Sequence, residues 1–364
     1  MMSSLDSSMR RLIGLAQGQR NLSRLLGLTV AVFLLFSVLS PRVFFSSINF
    51  QTMGFSIPEI GLLGLAIMIA FVTGGIDLSV VSIANLTALT TATLFAAFDA
   101  TDATGARAVG LTVAFVAAGL LVAVLAGLFN GFLVAVVGIT PILATLGTMQ
   151  LYNGIAIVWT GGKNLYGMPD VFLTLGINTV AGIPISFLVF GAICLVVAVL
   201  LNRSPLGIKL RLVGANPTAA RFSGIDNRRV LLMTYVVTGL LAGTAGVIIA
   251  SRSASASADY GSTYVLLAIV IAVLAGTNPD GGYGTVLGVV LATTTLQMVS
   301  SGFNIVRLSA FQYTIAQGVI LVGVMVLEVI QTRRRARAVP ILPPGPPVPT
   351  APAVPTAPGP VPVH

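Results

Sequence analysis

Several long stretches of this chain contain no charged residue. Ala108–Gly162 is the longest, at 55 residues. Val230–Ser251, Gly261–Pro279 and Gly281–Val306 are also free of charge. A helix needs about 20 apolar residues to cross the hydrocarbon core of a bilayer. The longest stretch is therefore long enough for two crossings and each of the others for one, which predicts an all-α, polytopic transmembrane bundle.

Basic residues are concentrated in three polar stretches. Of 19 Lys and Arg residues, 14 lie in the N-terminal arm 1–24, in the loop Asn202–Arg229 and in Arg333–Arg337. Because Lys and Arg collect in cytoplasmic loops, we expect all three stretches, and with them both termini, to be cytoplasmic. This orientation in the lipid bilayer also explains the net charge of +9, so no nucleic-acid partner is expected.

Apolar runs separated by Gly, Pro and polar clusters predict about ten crossings within a membrane domain at 25–332. The predicted crossings are Leu25–Pro41, Ile57–Thr73, Leu78–Phe98, Ala108–Val137, Pro141–Thr160, Gly182–Leu201, Val230–Ala250, Thr263–Gly276, Thr285–Ser301 and Ser309–Ile330. The segment between Gly74 and Asp77 is too short for an ordinary loop, so a broken or re-entrant helix is expected there. Glu59 lies near the end of its predicted crossing, where interfacial water would solvate it.

Composition excludes several kinds of chemistry. Cys194 is the only cysteine and His364 the only histidine, so neither a disulfide framework nor a zinc site is expected. The chain has no P-loop motif, and we predict no catalytic residue, metal or bound cofactor. Residues 333–364 combine a basic stop with Pro340–Pro362, which holds 11 of the 19 prolines; this composition predicts a disordered cytoplasmic tail.

The cytoplasmic loop contains the signature of a short helix. Asn216 is a good N-cap, Pro217 suits the first helical position, and Gly224 suits the position just after the helix. The predicted helix is therefore Pro217–Ser223. Residue chemistry alone leaves two interpretations open: an amphipathic turn lying on anionic lipid headgroups, or a docking site for a cytoplasmic protein.

Polar residues within the predicted crossings are the candidates for a helix break or a translocation path. Asp77 either caps the helix that follows it or forms a proton or cation site, as in ion-coupled transporters with broken helices. Neutral polar groups either bond across helices or line a path for an uncharged, hydroxyl-rich solute. The candidates for the break or the path are Gly74, Gly75, Asp77, Ser79, Asn85, Asn130, Thr145, Thr148, Asn153 and Gln297.

Four blocks of this sequence resemble the permeases of bacterial ribose-, xylose- and galactose-type ABC importers. The blocks are Gly74–Val80, Thr140–Met149, Gly214–Ile225 and Gly281–Gly288, and they occur in the order typical of that family. The sequence departs from the family's pattern at three positions. Val81 stands where Gly is common, Asn153 where Arg is frequent, and Thr218 where related importers often have an acidic residue.

The resemblance implies a non-catalytic permease subunit in the bacterial inner membrane. Such permeases form a two-subunit pore, from two copies or from two related chains. A periplasmic sugar-binding protein supplies the solute, and a separate ABC ATPase holds ATP–Mg. The resemblance places the contact with the ATPase at Pro217, Ala219, Ala220, Arg221, Gly224 and Ile225. The solute, a monosaccharide or related small polyol, is left open. The alternatives are an ion-coupled secondary transporter using Asp77 and a membrane scaffold without a solute path.

Overall fold

The computed structural model describes residues 22–307 and scattered positions from Ser309 to Val326. The proline-rich tail and residues 1–21 of the predicted basic arm lie outside the described residues, as does most of the predicted crossing Ser309–Ile330. The elements described below belong to one compact unit, within residues 1–322. A second unit, 323–364, falls almost wholly outside the described residues.

Eight helices in the described part of the chain are long and apolar enough to cross a membrane. They are α1 Leu22–Leu39, α3 Ser47–Val72, α4 Val80–Ala97, α5 Gly105–Val137, α6 Pro141–Thr160, α8 Ile185–Arg203, α11 Asn227–Ser253 and α13 Val286–Ile305. The last turn of α5, Leu133–Val137, is a π-helix. Shorter elements are α2 Pro41–Phe44, α7 Asp170–Ile177, α9 Pro205–Ala215, α10 Pro217–Phe222, α12 Tyr264–Leu274 and the hairpin of β1 Thr179–Val180 with β2 Ile183–Pro184. The prediction of an all-α polytopic bundle is confirmed.

Helix α3 lies at the centre of the bundle. Within its most apolar window 89% of the residues are buried, against 11% for the peripheral α1. Helix α11 packs between α3 and α4, and both α11 and α4 are also mostly buried. The outer helices α5, α6 and α8 expose apolar side chains, such as Val158 and Leu195. Lipid solvates such a surface without penalty, so the outer faces need no protein partner to be stable in a bilayer.

Glycine allows the central helices to touch through their backbones. A Cβ added to Gly127 of α5 would lie 2.2 Å from the carbonyl oxygen of Tyr235 on α11. A Cβ added to Gly246 of α11 would lie 2.0 Å from the carbonyl oxygen of Ala84 on α4. Small residues permit this kind of close packing in membrane proteins, where apolar burial does not drive helices together.

Several predicted boundaries are wrong. The second crossing begins at Ser47 and not at Ile57, because Ser46 caps the helix by accepting a hydrogen bond from the Asn49 N–H and Pro58 is accommodated inside it. Glu59 consequently lies within α3 and is buried rather than solvated at an interface. Helix α12 has only 11 residues, about 16 Å of helix, which is too short to cross a bilayer alone.

Helix α9 was not predicted, although it occupies much of the loop Asn202–Arg229. It starts at Pro205, and the Ser204 hydroxyl caps it by accepting a hydrogen bond from the Gly207 N–H at 3.2 Å. The Ser-Pro pair is the same kind of start signal as Asn216-Pro217, and it was available in the sequence. The stretch between α8 and α11 is therefore two consecutive helices, α9 and α10, and not one helix within an irregular loop.

Candidate functional site

The helical structure is interrupted between α3 and α4, as predicted for the segment from Gly74 to Asp77. Gly74 has a φ of +76°, a left-handed conformation that favours glycine. Its N–H donates to the Phe71 carbonyl at 2.8 Å and the Gly75 N–H donates to the Ala70 carbonyl at 3.1 Å, which closes the end of α3. Gly75 faces α11, where a Cβ would lie 3.1 Å from the Tyr235 hydroxyl. The break is thus a tight, packed turn.

Asp77 is fully buried in this turn and accepts three hydrogen bonds. Its Oδ1 accepts from the Ser79 N–H at 3.1 Å and from the Ser79 hydroxyl at 2.6 Å. Its Oδ2 accepts from the Thr238 hydroxyl of α11 at 2.7 Å. Helix α4 begins at Val80, two residues later than predicted. Asp77 accepts from the Ser79 N–H at this start, which is the bond expected of a capping side chain, and it also ties the turn to α11 through Thr238.

A network of hydrogen bonds extends from Asp77 to two further helices. The Asn130 amide on α5 donates to the Ser79 hydroxyl at 2.7 Å. The Tyr152 hydroxyl on α6 donates to the Ala126 carbonyl at 2.8 Å and lies 3.4 Å from Asn130 Oδ1. The Thr145 hydroxyl on α6 contacts the Ile76 carbonyl at 3.2 Å. The turn is therefore connected to α5, α6 and α11 by groups that satisfy one another in a low-dielectric interior.

Three chain segments meet by backbone contact at the end of α3. The Gly282 N–H, between α12 and α13, donates to the Val72 carbonyl at 2.9 Å. A Cβ on Gly214, near the end of α9, would lie 2.0 Å from that same carbonyl oxygen and 2.6 Å from the Gly282 nitrogen. We call this contact of Val72, Gly214 and Gly282 the glycine junction. It lies at the end of α9, just before α10 begins.

The four sequence blocks noted above therefore converge. The first block forms the turn, the second supplies Thr145, the third supplies Gly214, and the fourth supplies Gly282. They come from four separate parts of the chain. Their convergence shows that these blocks build one structural centre in the described part of the protein, where α3 ends.

Helix α10 has the local structure that the sequence predicts. The Asn216 side chain accepts a hydrogen bond from the Ala219 N–H at 2.9 Å. After the helix, Gly224 has a φ of +79°. Its N–H donates to the Arg221 carbonyl, and the Ile225 N–H donates to the Ala220 carbonyl, which together form a Schellman motif.

The exposed face of α10 differs from the predicted contact set. Pro217, Ala219, Arg221 and Gly224 are exposed, whereas Ile225 is only partly exposed and Ala220 is buried, at 4%. Phe222, which is absent from the predicted set, is 89% exposed. Ala220 and Ile225 therefore hold the short helix together, and Arg221 and Phe222 are the large side chains that it presents outward.

Three predicted path residues lie away from the turn. The Asn85 amide on α4 donates to the Ala258 carbonyl at 2.6 Å, so it anchors the segment after α11. Asn153 lies on α6, and its buried Oδ1 has no hydrogen-bond partner among the described residues. Gln297 lies on α13 and lines a separate polar pocket. Thr148 is buried on α6, with its hydroxyl donating to the Thr145 carbonyl at 3.3 Å, and so belongs with the turn.

Several contributors to these contacts were missed from sequence. Thr238 and Tyr152 are ordinary residues for a membrane helix, so no charge or glycine signal marked them. Gly214 and Gly282 do fall in blocks noted from sequence, but their contact with Val72 depends on how the helices pack. Among the described residues no group of acidic, histidine or cysteine side chains could hold a metal ion.

A bundle of apolar helices with a broken central pair and an exposed short helix is that of a multi-pass membrane protein. Residues 50–329 match the family described as the permease component of the branched-chain amino acid transport system. The chain belongs to this family of ABC importer permeases.

Individual relatives are similar over most of their length. The autoinducer 2 import system permease protein LsrD of Klebsiella pneumoniae subsp. pneumoniae is 31% identical over 83% of this chain and 90% of that protein. The ribose import permease protein RbsC of Bacillus subtilis is 30% identical over 85% and 92%. The D-allose transport system permease protein AlsC of Escherichia coli is 29% identical over 84% and 89%. No solved structure matches the chain.

Proposed function

We propose that the chain forms the translocation path of an ATP-driven importer for a monosaccharide or a related small polyol. The observation that carries this proposal is the similarity to import permeases named for ribose, allose and autoinducer 2, which extends over more than four-fifths of the chain. The family description names branched-chain amino acids. We favour the sugar class because each of these three relatives matches nearly the whole membrane domain and none is named for an amino acid.

The chain would hydrolyse no ATP itself. Its sequence contains no P-loop, so ATP–Mg would be held by a separate ABC ATPase. We propose that this ATPase docks on α10 through Arg221 and the 89% exposed Phe222. A large aromatic side chain that is exposed to water beside a basic residue is typical of the residues that anchor protein interfaces.

Docking on α10 would be coupled to the helix break through the glycine junction. Helix α10 follows α9 directly, with Asn216 between them. Gly214 of α9 contacts the end of α3 without an intervening side chain. A displacement of α10 would therefore reach Val72 and the turn that holds Asp77. Such transmission requires two alternative packings of the helices, which nucleotide binding in the ATPase would bias.

The remaining partners are a periplasmic sugar-binding protein and a second permease subunit, either another copy or a related chain. We propose the bacterial inner membrane as the location, with both termini cytoplasmic, because the basic stretches 1–24, 202–229 and 333–337 fit the positive-inside rule. The ion-coupled alternative has less support. The two carboxylate oxygens of Asp77 are already bound by Ser79 and Thr238, and this family works with ATPases.

The test is to purify the tagged chain from its native membranes in mild detergent and to identify the proteins that copurify. An ATPase with a P-loop and a periplasmic sugar-binding protein are expected. The reconstituted complex should then take up D-ribose, D-allose or autoinducer 2 only when ATP is supplied. A chain that purified alone and moved solute along an ion gradient without ATP would contradict the proposal and support the alternative centred on Asp77.

A further inference from the structure

Two membrane-crossing helices carry a polar stripe on facing sides. The stripe on α3 consists of Asn49, Thr52, Ser56 and Glu59. The stripe on α13 consists of Gln297, Ser300, Ser301 and Asn304. Residues three or four positions apart lie on one face of a helix. Polar faces within membrane segments are expensive unless they meet one another or face water, so the two stripes need a polar environment between them.

The stripes line a pocket of about 710 Å³, within the usual size range for small-molecule sites. Arg252 of α11 and Tyr264 of α12 complete its walls. The Ser301 hydroxyl donates to Asn49 Oδ1 at 2.5 Å, which joins the two stripes directly. The pocket is formed by the beginning of α3 and the end of α13. It is therefore separate from the turn at the opposite end of α3.

An ion pair lies in the wall of the pocket. Arg252 Nη1 is 3.0 Å from Glu59 Oε1, with the Glu59 side chain 7% exposed and the Arg252 side chain 34% exposed. The two charges of this pair cancel, and Arg307, which also lines the pocket, adds one positive charge to its wall. The remaining guanidinium N–H groups and the second carboxylate oxygen can still bond to a ligand. The amides of Gln297 and Asn304, two helical turns apart on α13, add both donors and acceptors to the same pocket.

We propose that this pocket binds the transported solute within a single permease subunit, and that the solute is rich in hydroxyl groups. The inference rests on the proposed function and assigns to it a binding site. A sugar or polyol presents several hydroxyls, each a donor and an acceptor, which suit a pocket lined by a carboxylate, a guanidinium and two amides. A solute without hydroxyls would leave these groups unpaired, and sites of this kind reject such analogues strongly.

The experiment uses cysteine labelling of the complete importer, in a Cys194→Ala background that removes the only cysteine. Gln297→Cys and Ser300→Cys place a thiol in the pocket. Leu287→Cys is the control, because Leu287 is on the same helix, is 56% exposed and does not line the pocket. A charged, water-soluble thiol reagent should label both pocket positions in the detergent-solubilised importer. D-ribose, D-allose and autoinducer 2 are then tested as solutes that protect these positions from labelling.

The solute that the importer takes up should protect the pocket. At about ten times its Kd roughly one site in ten stays empty, so labelling of the Gln297→Cys and Ser300→Cys variants should slow about tenfold while labelling of the Leu287→Cys variant is unchanged. In the natural background, Gln297→Leu should raise the half-saturating solute concentration about two- to tenfold, the effect of losing one neutral hydrogen bond. This second variant tests the site without introducing a thiol.

Parallel uptake measurements separate the two proposals. If the importer takes up one of the probes, yet that probe protects neither pocket position and Gln297→Leu transports normally, the pocket is not a solute site while the proposed function stands. If the unaltered importer takes up none of the three probes and no other monosaccharide or small polyol, the proposed function fails and the pocket assignment fails with it. Uptake together with protection at both pocket positions, and not at the control position on the same helix, supports the assignment.

Discussion

Replacing Gly214 with alanine should disrupt the contact between α9 and the end of α3. The new Cβ would lie 2.0 Å from the Val72 carbonyl oxygen, whereas real Cβ contacts are essentially never closer than 3.0 Å. The backbone must therefore separate by about 1 Å. The neighbouring atoms are backbone and not the flexible ends of side chains, so the strain cannot be relieved by a rotamer change.

Three contributions determine how much Gly214→Ala changes the free energy of unfolding. Overpacking a close contact costs about 1–3 kcal/mol. Losing the 2.9 Å hydrogen bond from the Gly282 N–H to the Val72 carbonyl leaves buried polar groups unpaired, at about 1–3 kcal/mol. Alanine is favoured over glycine within a helix by about 0.5–1 kcal/mol, which offsets part of this. The net expectation is a destabilisation of about 1–5 kcal/mol, together with loss of ATP-dependent uptake.

Gly191→Ala is the matched control. Gly191 is a glycine of α8 with nothing within 4 Å of the position where a Cβ would lie. The same substitution there should stabilise the protein slightly, by about 0.5–1 kcal/mol, through helix propensity alone. Melting temperatures of the two purified variants, measured with the same detergent and lipid, should therefore shift in opposite directions from the unaltered protein, with the Gly214 variant lower by several degrees.

The contradicting result is a Gly214→Ala variant that melts at or above the temperature of the unaltered protein and retains its rate of uptake. That result would mean that α9 and α3 do not touch through their backbones. A second outcome is equally informative. If Gly214→Ala melts lower but couples ATP hydrolysis to uptake as well as before, the glycine junction stabilises the fold and does not transmit movement from α10.

Three further predictions follow from named contacts. Asp77→Asn should keep most of the uptake activity, because an amide can replace the carboxylate's bonds to Ser79 and Thr238 once the hydroxyls reorient, whereas Asp77→Leu should lose it; equal loss in both variants, measured as initial uptake rates, would indicate that the charge itself is required. Phe222→Asp should abolish copurification of the ATPase while leaving membrane insertion intact. Phe98→Asp, which alters an exposed phenylalanine beyond the far end of α4, should leave copurification of the ATPase unchanged. If the ATPase still copurified with the Phe222→Asp variant, α10 would be excluded as the docking site. Arg252→Gln should lower the free energy of unfolding by about 1–3 kcal/mol, because it leaves the Glu59 carboxylate buried and unpaired. Adding Glu59→Gln should restore part of that loss. A double-mutant cycle with no coupling energy would show that the ion pair contributes nothing to stability.

Local chemistry made part of this structure predictable. Apolar length identifies most of the crossings, since a membrane helix must satisfy its own backbone and present apolar side chains. Helix α10 follows from Asn216, Pro217 and Gly224 because capping depends only on neighbouring residues. Ser204 and Pro205 carry the same kind of local signal for the start of α9. The turn after α3 follows from Gly74 and Asp77.

The contacts that complete the candidate sites could not be predicted in this way. Thr238 is 161 residues from Asp77 along the chain, and its role depends on α11 lying beside the turn. Glu59 was expected at an interface because its crossing was predicted to begin at Ile57, and its ion pair with Arg252 requires α3 and α11 to pack together. Sequence periodicity identifies the polar face of a helix, but the partner of that face is determined by tertiary packing.

Helix α3 carries parts of both proposed sites, one at each of its ends. Its 26 residues form about 39 Å of helix, with the polar stripe from Asn49 to Glu59 at its beginning and the glycine junction at Val72 at its end. Between them, the side chains from Leu62 to Ala70 are almost completely buried, and a close-packed interior transmits displacement because it has no free volume to absorb it. Movement of α10 against an ATPase would therefore shift α3 as a unit and change the distance between its polar stripe and that of α13. The hydrogen bond from Ser301 to Asn49 spans that gap, so it is the contact that such a movement would break first when the pocket opens.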